Sequence, residues 1–411
     1  MEYRPRLVDE LLSELLAGVP AVLIVGPRAC GKTTTARRVA QDELRLDRGA
    51  DADLVRADPD IALRVREGTL LLDEWQLVPE VLGAVKRAVD DRPGAGRFVI
   101  TGSAQTDLGA AGRPLTGRAV RVPMWGLSER ELDGDVRAPS VLARLPDEGP
   151  AALGPVAAPP DLEDYVERAL RGGLPEIALQ PEPAIRRRRL ASYVDEVVAR
   201  DGALADGSRD PVRLRRYLQA CAASLGCEVE HRTLYTAADV NRITAVGYDS
   251  LLSTLMVVDA LPAWTSNRLE RLTGRPKRHL VEPALVGPLL GVDTRGALRD
   301  QALLGRLMES FVLAQLRPEL AVVEYPPRIY HLRDRDGRHE VDLLIEYPDG
   351  RCVGIEVKAG ASASLRDARH LVWLGDKLGD RLIAGIVLHT GDHTFALSDR
   401  VVAAPIAALW S

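Results

Sequence analysis

An apolar run over residues 21–25 leads directly into the pattern Gly-x-x-x-x-Gly-Lys-Thr at residues 26–33. A run of consecutive apolar residues predicts a strand that is buried on both faces of a parallel sheet. When this pattern follows such a strand, backbone N–H groups of the loop surround a phosphate and the N-terminus of the next helix faces the anion. The sequence therefore predicts a strand, a phosphate-binding loop and a helix in direct succession.

This loop predicts a site for ATP and Mg²⁺. Lys32 is expected to reach the β- and γ-phosphate oxygens, and Thr33 to supply a hydroxyl ligand for Mg²⁺. The alternative is a glycine-rich turn without a ligand, which the flanking strand and helix disfavour. The other predicted ATP-binding residues lie in the loop and at the start of the helix: Gly26, Pro27, Ala29, Cys30, Gly31 and Thr34.

A second apolar strand pattern, over residues 69–72, ends in Asp73 and Glu74. Because central strands of a parallel sheet carry functional residues at their carboxyl ends, Asp73 is expected to hold Mg²⁺ and Glu74 to activate the attacking water. The alternative is that both carboxylates cap the next helix. The acidic pair favours hydrolysis and disfavours a small-molecule kinase.

Two further residues are candidates for catalysis in this region. Ser103 follows the apolar pattern at 98–101 and is expected to sense the γ-phosphate or orient the water. Arg118, with Arg113 as a weaker choice, is a candidate for stabilising the transferring phosphoryl group. A solvated surface arginine is the alternative. The sequence leaves open whether Arg118 acts within its own chain or on another subunit.

The order of patterns along the chain predicts several domains. Alternating strands and helices over residues 1–128 predict a doubly wound α/β core. Residues 129–208 are expected to form a helical lid and linker, 209–295 a winged-helix-like domain, and 296–411 a separate α/β unit. Within the third region, helical patterns at 236–246 and 248–255 are separated by Gly247.

The last region contains a third group of candidate residues. Asp342 precedes a hairpin pattern, and Glu356 and Lys358 follow it on one face of a strand. Together with Glu309 on an upstream helix, Asp342 and Glu356 are candidate ligands for a second Mg²⁺ or for Mn²⁺, and Lys358 is a candidate catalytic residue. The alternatives are a solvated strand and, for Glu309, a salt bridge to Arg306 or another base.

Composition excludes several classes of protein. The net charge of −5 excludes a globally basic nucleic-acid binder, and 4% aromatic residues argue against a base-stacking platform. No apolar run approaches the ~18 residues of a membrane helix, so a cytoplasmic protein is expected. Four cysteines without a Cys-x-x-Cys pair argue against a disulfide scaffold or zinc site. Two local basic segments, residues 185–189 and 268–279, are either DNA contacts or solvated faces.

Lysine is rare in this chain, which has 54 basic residues and only five lysines. Lys32 and Lys358 nevertheless occupy the two places where phosphate chemistry favours a compact ammonium group over a guanidinium group. This distribution supports a chemical role for Lys358.

Nearly the whole chain resembles a bacterial and archaeal family of AAA-type ATPases. In this family an N-terminal P-loop domain precedes a C-terminal domain of unknown function that resembles the restriction-endonuclease-like PD-(D/E)xK fold. Trp75 and the segment at 123–128 depart from the usual pattern. The resemblance is carried by Gly26 to Thr33, Leu72 to Gln76, Ile100 to Ser103, Leu115 to Arg118, Gly172 to Glu176, Arg200-Asp201, Gly305 to Phe311, Glu340 to Asp342 and Glu356 to Lys358.

The resemblance implies a sensor role for Ser103, an arginine-finger role for Arg118 and a winged helix in the middle of the chain. We therefore expect Mg²⁺-dependent ATP hydrolysis coupled to a DNA-associated, nuclease-like C-terminal domain. The alternative is an ATP-controlled switch that binds DNA or protein and carries a catalytically inert nuclease-like scaffold. A homo-oligomer is compatible with both.

Overall fold

The computed structural model describes residues 3–64, 66–103, 115–201, 210–334 and 337–411, except for the side chains of residues 103, 200 and 201. The chain divides into two compact units. The first comprises Met1–Leu127 with Thr254–Met256, and the second comprises Ser128–Ser253 with Val257–Ser411.

The first unit is a five-stranded parallel sheet with helices. Its strand order is β2-β3-β4-β1-β5. The strands are Ala21–Gly26 (β1), Asp42–Arg45 (β2), Leu70–Asp73 (β3), Phe98–Ser103 (β4) and Ala119–Pro123 (β5). The helices are Val8–Gly18 (α1), Lys32–Ala36 (α2), Gly49–Ala57 (α3), Pro59–Arg64 (α4) and Val81–Asp91 (α5).

The predicted parallel α/β core is confirmed in this unit. Every residue of β1 and β3 is buried, which explains their uninterrupted apolar sequences. β1 lies between β4 and β5, and β3 lies between β2 and β4. The carboxyl ends of β1, β3 and β4 therefore meet at one edge of the sheet.

The second unit begins with helices. They are Glu129–Asp133 (α6), Val141–Glu148 (α7), Leu162–Arg171 (α8), Pro175–Ala178 (α9) and Pro183–Glu196 (α10), and one π-helical turn follows at Val197–Asp201. The carboxylate of Glu129 is buried and forms ion pairs with Arg168 and Arg171, which fastens α6 to α8.

Three helices and an antiparallel hairpin follow. The helices are Pro211–Ala223 (α11), His231–Ala237 (α12) and Arg242–Thr254 (α13), and the strands are Val258–Leu261 (β6) and Lys277–Leu280 (β7). The predicted break at Gly247 is wrong, because α13 continues through it. The chain instead turns between Ala237 and Arg242, where Asp239 takes a left-handed conformation (φ 54°).

The remaining elements surround a mixed six-stranded sheet with the order β12-β13-β11-β10-β9-β8. The strands are Arg328–Arg333 (β8), Glu340–Glu346 (β9), Cys352–Val357 (β10), Leu382–His389 (β11), Phe395–Ser398 (β12) and Val401–Pro405 (β13). The helices are Val286–Leu290 (α14), Thr294–Arg299 (α15), Gln301–Val322 (α16) and Arg369–Leu378 (α17), of which α17 packs on β10 and β11.

The regions that the sequence predicts as separate domains after residue 128 lie in one compact unit. The segment after β6 runs beside β8, where Trp264 N donates to His331 O (2.7 Å) and His331 N donates to Pro262 O (3.0 Å). Backbone pairing therefore joins the hairpin to the C-terminal sheet.

Candidate functional site

The glycine-rich loop connects β1 to α2. Ala29 (φ 59°) and Gly31 (φ 100°) take left-handed conformations and turn the loop back towards the helix. The ammonium group of the buried Lys32 donates hydrogen bonds to the carbonyl oxygens of Gly26 (3.0 Å) and Pro27 (2.8 Å). Lys32 therefore lies across the loop, as a phosphate-binding lysine requires.

The loop is anchored to the segment that follows β5. Arg6 donates to the backbone oxygens of Cys30 (2.9 Å) and Trp125 (2.7 Å). A side chain at Gly26 would place its Cβ 2.1 Å from the Met124 oxygen, so only glycine fits there. The segment that contains Trp125 departs from the family pattern, but its backbone still anchors the loop through Arg6.

Thr33 and Asp73, the predicted Mg²⁺ ligands, lie together. The Thr33 hydroxyl donates to Asp73 Oδ1 (2.7 Å), and the buried Thr101 hydroxyl donates to the same oxygen (2.5 Å). A hydroxyl and a carboxylate beside a phosphate-binding loop are the hard oxygen donors that Mg²⁺ prefers. This donor set fits Mg²⁺.

Glu74 follows Asp73 in a left-handed conformation (φ 57°, ψ 45°), which is uncommon for a residue other than glycine. The amide of Gln76 donates to its carboxylate. Gln76 in turn packs against Gly102, where an added Cβ would lie 2.4 Å from Gln76 Oε1. Sequence analysis assigned no role to Gln76, although Gln76 ends the Leu72 to Gln76 segment that carries the family resemblance.

For the other predicted residues of this site, the structure gives less information. Ser103 is paired in register with Gly26 at the ends of two adjacent strands, but its side chain lies outside the described residues. Arg113 also lies outside them. Thr34 is exposed on the first turn of α2.

The structure does not bring Arg118 to the phosphate-binding loop of its own chain. Arg118 precedes β5, whose first residue, Ala119, pairs with Ala21 at the amino end of β1. The loop begins at the other end of β1, about 16 Å away along the strand. Arg118 instead forms an ion pair with Asp90 of α5 (2.6 Å). Action on another subunit stays a prediction.

We expect Arg118→Ala to leave the rate of ATP hydrolysis unchanged within about twofold, because Arg118 lies far from the phosphate-binding loop of its own chain. An arginine that contacted the phosphoryl group would contribute about 10³–10⁵ in rate. Steady-state phosphate release measures this. Asp90→Asn is the matched control, since it removes the same ion pair. A large loss in Arg118→Ala but not in Asp90→Asn would contradict the expectation and indicate that Arg118 contacts ATP of another subunit.

In the second unit, Lys277 of β7 lies among carboxylates. Its ammonium nitrogen is 3.1 Å from Glu309 Oε1, 2.9 Å from Glu340 Oε1 and 3.8 Å from Asp342 Oδ1. The Lys277 side chain is only 2% exposed. The cluster thus joins the hairpin to α16 and β9 through one buried cation.

Burial controls the protonation of this cluster. Burial, and then the charge of Asp342, raise the pKa of Glu309 to about 8 against the opposing effect of Lys277. The carboxylates around Lys277 hold its pKa above the usual range despite burial. At neutral pH Lys277 is therefore charged, and Glu309 largely keeps its proton.

The remaining C-terminal candidates lie beside an open pocket of about 310 Å³. Asp342 Oδ2 accepts from Val357 N (2.9 Å), and Lys358 Nζ donates to Glu356 Oε2 (2.7 Å). Burial, and then Asp342, raise the pKa of Glu356 to about 8. The positively charged part of the pocket rim comprises Lys358, Arg366 and Arg369.

These residues do not form the predicted three-carboxylate metal site. Within the described residues, no group of three or more His, Cys, Asp or Glu side chains is arranged to hold a metal ion. Glu309 and Asp342 both lie near Lys277, whereas Glu356 pairs with Lys358 and lines the pocket. The prediction of Glu309, Asp342 and Glu356 as one metal site is therefore corrected, because an ammonium group occupies the side of the cluster that includes Glu309.

The basic segment at 268–279 is also largely engaged within the protein. Arg271 forms a two-point ion pair with Glu346 and stacks over the Trp264 ring. Arg278 is buried and paired with Asp249, and Lys277 belongs to the carboxylate cluster. Most of this segment therefore does not form a free DNA-binding face.

Sequence analysis assigned Lys277 to this basic segment as a possible DNA contact, whereas in the structure it is the cation of the carboxylate cluster. The scarcity of lysine was the available signal. Lys277 is one of five lysines among 54 basic residues, and like Lys32 it occupies a buried position that favours a compact ammonium group.

We expect Lys277→Met to lower the free energy of unfolding by about 3–5 kcal/mol at pH 8, because it removes one partner of a buried ion pair. The loss should be smaller at pH 6. Below its folded pKa of about 8, Glu309 keeps its proton and needs the cation less. Chemical denaturation at both pH values measures this, with the exposed Lys377→Met as control. Equal stability of Lys277→Met and the parent protein at pH 8 would contradict the structural role.

Three family models match successive parts of the chain. An AAA domain matches residues 19–133, and two domains of unknown function, DUF8612 and DUF4143, match residues 162–296 and 304–409. Together with the parallel sheet and the loop, the first match defines an AAA-type P-loop protein. Within the described part of the chain, no helix is long and apolar enough to cross a membrane.

The particular family follows from close relatives. The uncharacterized protein Rv2008c of Mycobacterium tuberculosis is 31% identical over 401 residues, which cover 96% of this chain and 82% of that protein. The uncharacterized protein Mb2031c of Mycobacterium bovis matches with the same values. The chain belongs to the family of these mycobacterial proteins.

Solved structures show weaker likeness. A Walker-type ATPase of Pyrococcus abyssi is 14% identical, with 70% of this chain and 99% of that chain covered and a TM-score of 0.42. A DNA polymerase III gamma subunit-related protein of Thermotoga maritima is 13% identical, with 75% and 99% covered and a TM-score of 0.24. Neither likeness carries an argument about this chain.

Proposed function

We propose that the chain binds ATP with Mg²⁺ and hydrolyses it. The observation that carries this proposal is the contact between Thr33 and Asp73, which joins the end of the phosphate-binding loop to the end of β3 (2.7 Å). The AAA-domain match supports the same class of activity.

Four side chains divide the chemistry. Lys32 lies across the loop and would place its positive charge against the β- and γ-phosphate oxygens. Thr33 and Asp73 would hold Mg²⁺, which when bound supplies further positive charge at those oxygens. Glu74 is half-buried at the same sheet edge, where its carboxylate would accept a proton from the attacking water.

The conformation of Glu74 supports this role. The left-handed backbone turns it away from the strand direction, and the Gln76 amide holds its carboxylate. Strained backbone held by neighbouring contacts is common at functional sites. Gln76 therefore acts as a positioning residue for Glu74.

We expect Lys32→Ala to weaken ATP binding about 10- to 100-fold, because charge-assisted hydrogen bonds contribute about 1.5–3 kcal/mol. Glu74→Gln should bind ATP normally and hydrolyse it about 10²–10⁴-fold more slowly. Equilibrium binding of a fluorescent ATP analogue and phosphate release measure the two effects. Normal hydrolysis by Glu74→Gln would remove Glu74 as the base.

For the C-terminal part, we infer that ATP controls a non-nucleolytic switch whose nuclease-like sheet is a scaffold. The observation that favours this function is the buried cluster around Lys277, in which an ammonium group lies beside Glu309 and Asp342, two of the carboxylates that a metal would need. The described chain also lacks a three-ligand metal cluster.

A metal-dependent nuclease is the second candidate. Asp342, Glu356 and Lys358 converge on a pocket that is open to solvent and has a positively charged rim. Asp342 and Glu356 with a backbone oxygen would be a minimal ligand set for Mg²⁺ or Mn²⁺. DNA would then be the substrate that the rim attracts.

Incubation of the intact protein and ATP with plasmid, single-stranded DNA or RNA, in Mg²⁺ or Mn²⁺, separates the two functions. We expect no cleavage, because an ammonium group lies beside Glu309 and Asp342 in the place of a metal ion. Asp342→Ala is the matched control. Cleavage by the parent protein that disappears in Asp342→Ala would contradict the scaffold function and establish the nuclease, whereas cleavage by both would indicate another site or a contaminant.

A further inference from the structure

We propose that α12, α13 and the start of β7 form a groove that binds the phosphate backbone of duplex DNA through Arg232 and Arg242. This inference goes beyond the ATPase proposal and does not depend on ATP hydrolysis. It also differs from the DNA contacts that the basic segments suggest, because neither arginine belongs to those segments.

The groove is an open concavity of about 450 Å³. α12 contributes His231, Arg232 and Tyr235 to its lining, α13 contributes Arg242, and the hairpin contributes Arg275. Cationic side chains from three separate elements therefore face one concave surface. Such a surface fits an extended polyanion better than a single small anion.

The charges of the groove are not balanced. Glu230 is paired with Arg275 at the surface (3.0 Å). Arg232 and Arg242 are exposed, and neither has an acidic partner within the part of the chain that the structure describes. The groove thus carries excess positive charge in a chain whose net charge is −5.

A buried network fixes the floor of the groove. The Tyr217 hydroxyl contacts His231 Nε2 (3.0 Å) and donates to Asp249 Oδ1 (3.1 Å), and Arg278 donates to both oxygens of Asp249. After burial, the charges of Arg278 and Arg242 lower the pKa of His231 against the opposing effect of Asp249. His231 is therefore held neutral, and the excess positive charge of the groove comes from Arg232 and Arg242.

The surrounding elements favour duplex DNA as the occupant. Two helices joined by a short turn, α12 and α13, are followed by an antiparallel hairpin, the order found in helix-turn-helix modules with a wing. In such modules the second helix enters the major groove and flanking basic residues contact phosphates. Guanidinium groups suit this contact, because their planar donors match phosphate oxygens.

The test is fluorescence anisotropy of the full chain with a labelled duplex of about 30 base pairs, without nucleotide, between about 50 and 200 mM salt. We expect Arg232→Ala/Arg242→Ala to bind at least about tenfold more weakly at the lower salt. The slope of log affinity against log salt should fall by about 2, or about 1 for each phosphate contact removed. Arg232→Lys/Arg242→Lys should keep the slope.

Arg295→Ala/Arg299→Ala on α15 removes two exposed arginines outside the groove and outside both basic segments, so it is the matched control and should bind like the parent protein. Both groove positions are exposed, so loss of folding is not expected, and a thermal melt checks it. An unchanged slope in the double alanine variant, or no duplex binding by the parent at about 50 mM salt, would overturn the proposal. Tighter binding of polyglutamate than of the duplex would also overturn it and indicate an acidic protein partner. ATP binding by the same preparations tests the ATPase proposal separately.

Discussion

The buried ammonium group of Lys277 links three elements of the second unit. It belongs to the hairpin, and its partners Glu309 and Glu340 belong to α16 and β9. A charge taken out of water is costly unless it is paired, so loss of either partner would destabilise the contact between these three elements. The same ammonium group lies beside Glu309 and Asp342, which were predicted as metal ligands. One interaction therefore decides both the architecture and the chemistry of this region.

In the first unit, the parallel register of the strands determines which residues lie together. Because β1, β3 and β4 end at the same edge, the loop after Gly26, the carboxylate of Asp73 and the hydroxyl of Thr101 meet there. The same register excludes Arg118, which stands at the opposite edge beside Asp90. The geometry thus supports ATP chemistry at one edge of the sheet and gives Arg118 no place in it within the same chain.

The arginine-rich composition has a structural use in the second unit. Arg168, Arg171, Arg271 and Arg278 are each paired with a carboxylate of another element. Such planar groups suit two-point ion pairs, and these four arginines are engaged within the protein. The proposed DNA groove depends instead on Arg232 and Arg242, which are exposed. It could not be located from the density of basic residues in the sequence.

The sequence by itself determined the parallel core, the phosphate-binding loop and the pairing of Thr33 with Asp73, because apolar strands and glycine-rich turns are local patterns whose carboxyl ends must meet in a parallel sheet. Only the tertiary structure decided the roles of Arg118 and Lys277. Each is a cation whose function depends on which carboxylate lies within about 4 Å, and that distance is set by elements far apart in the chain.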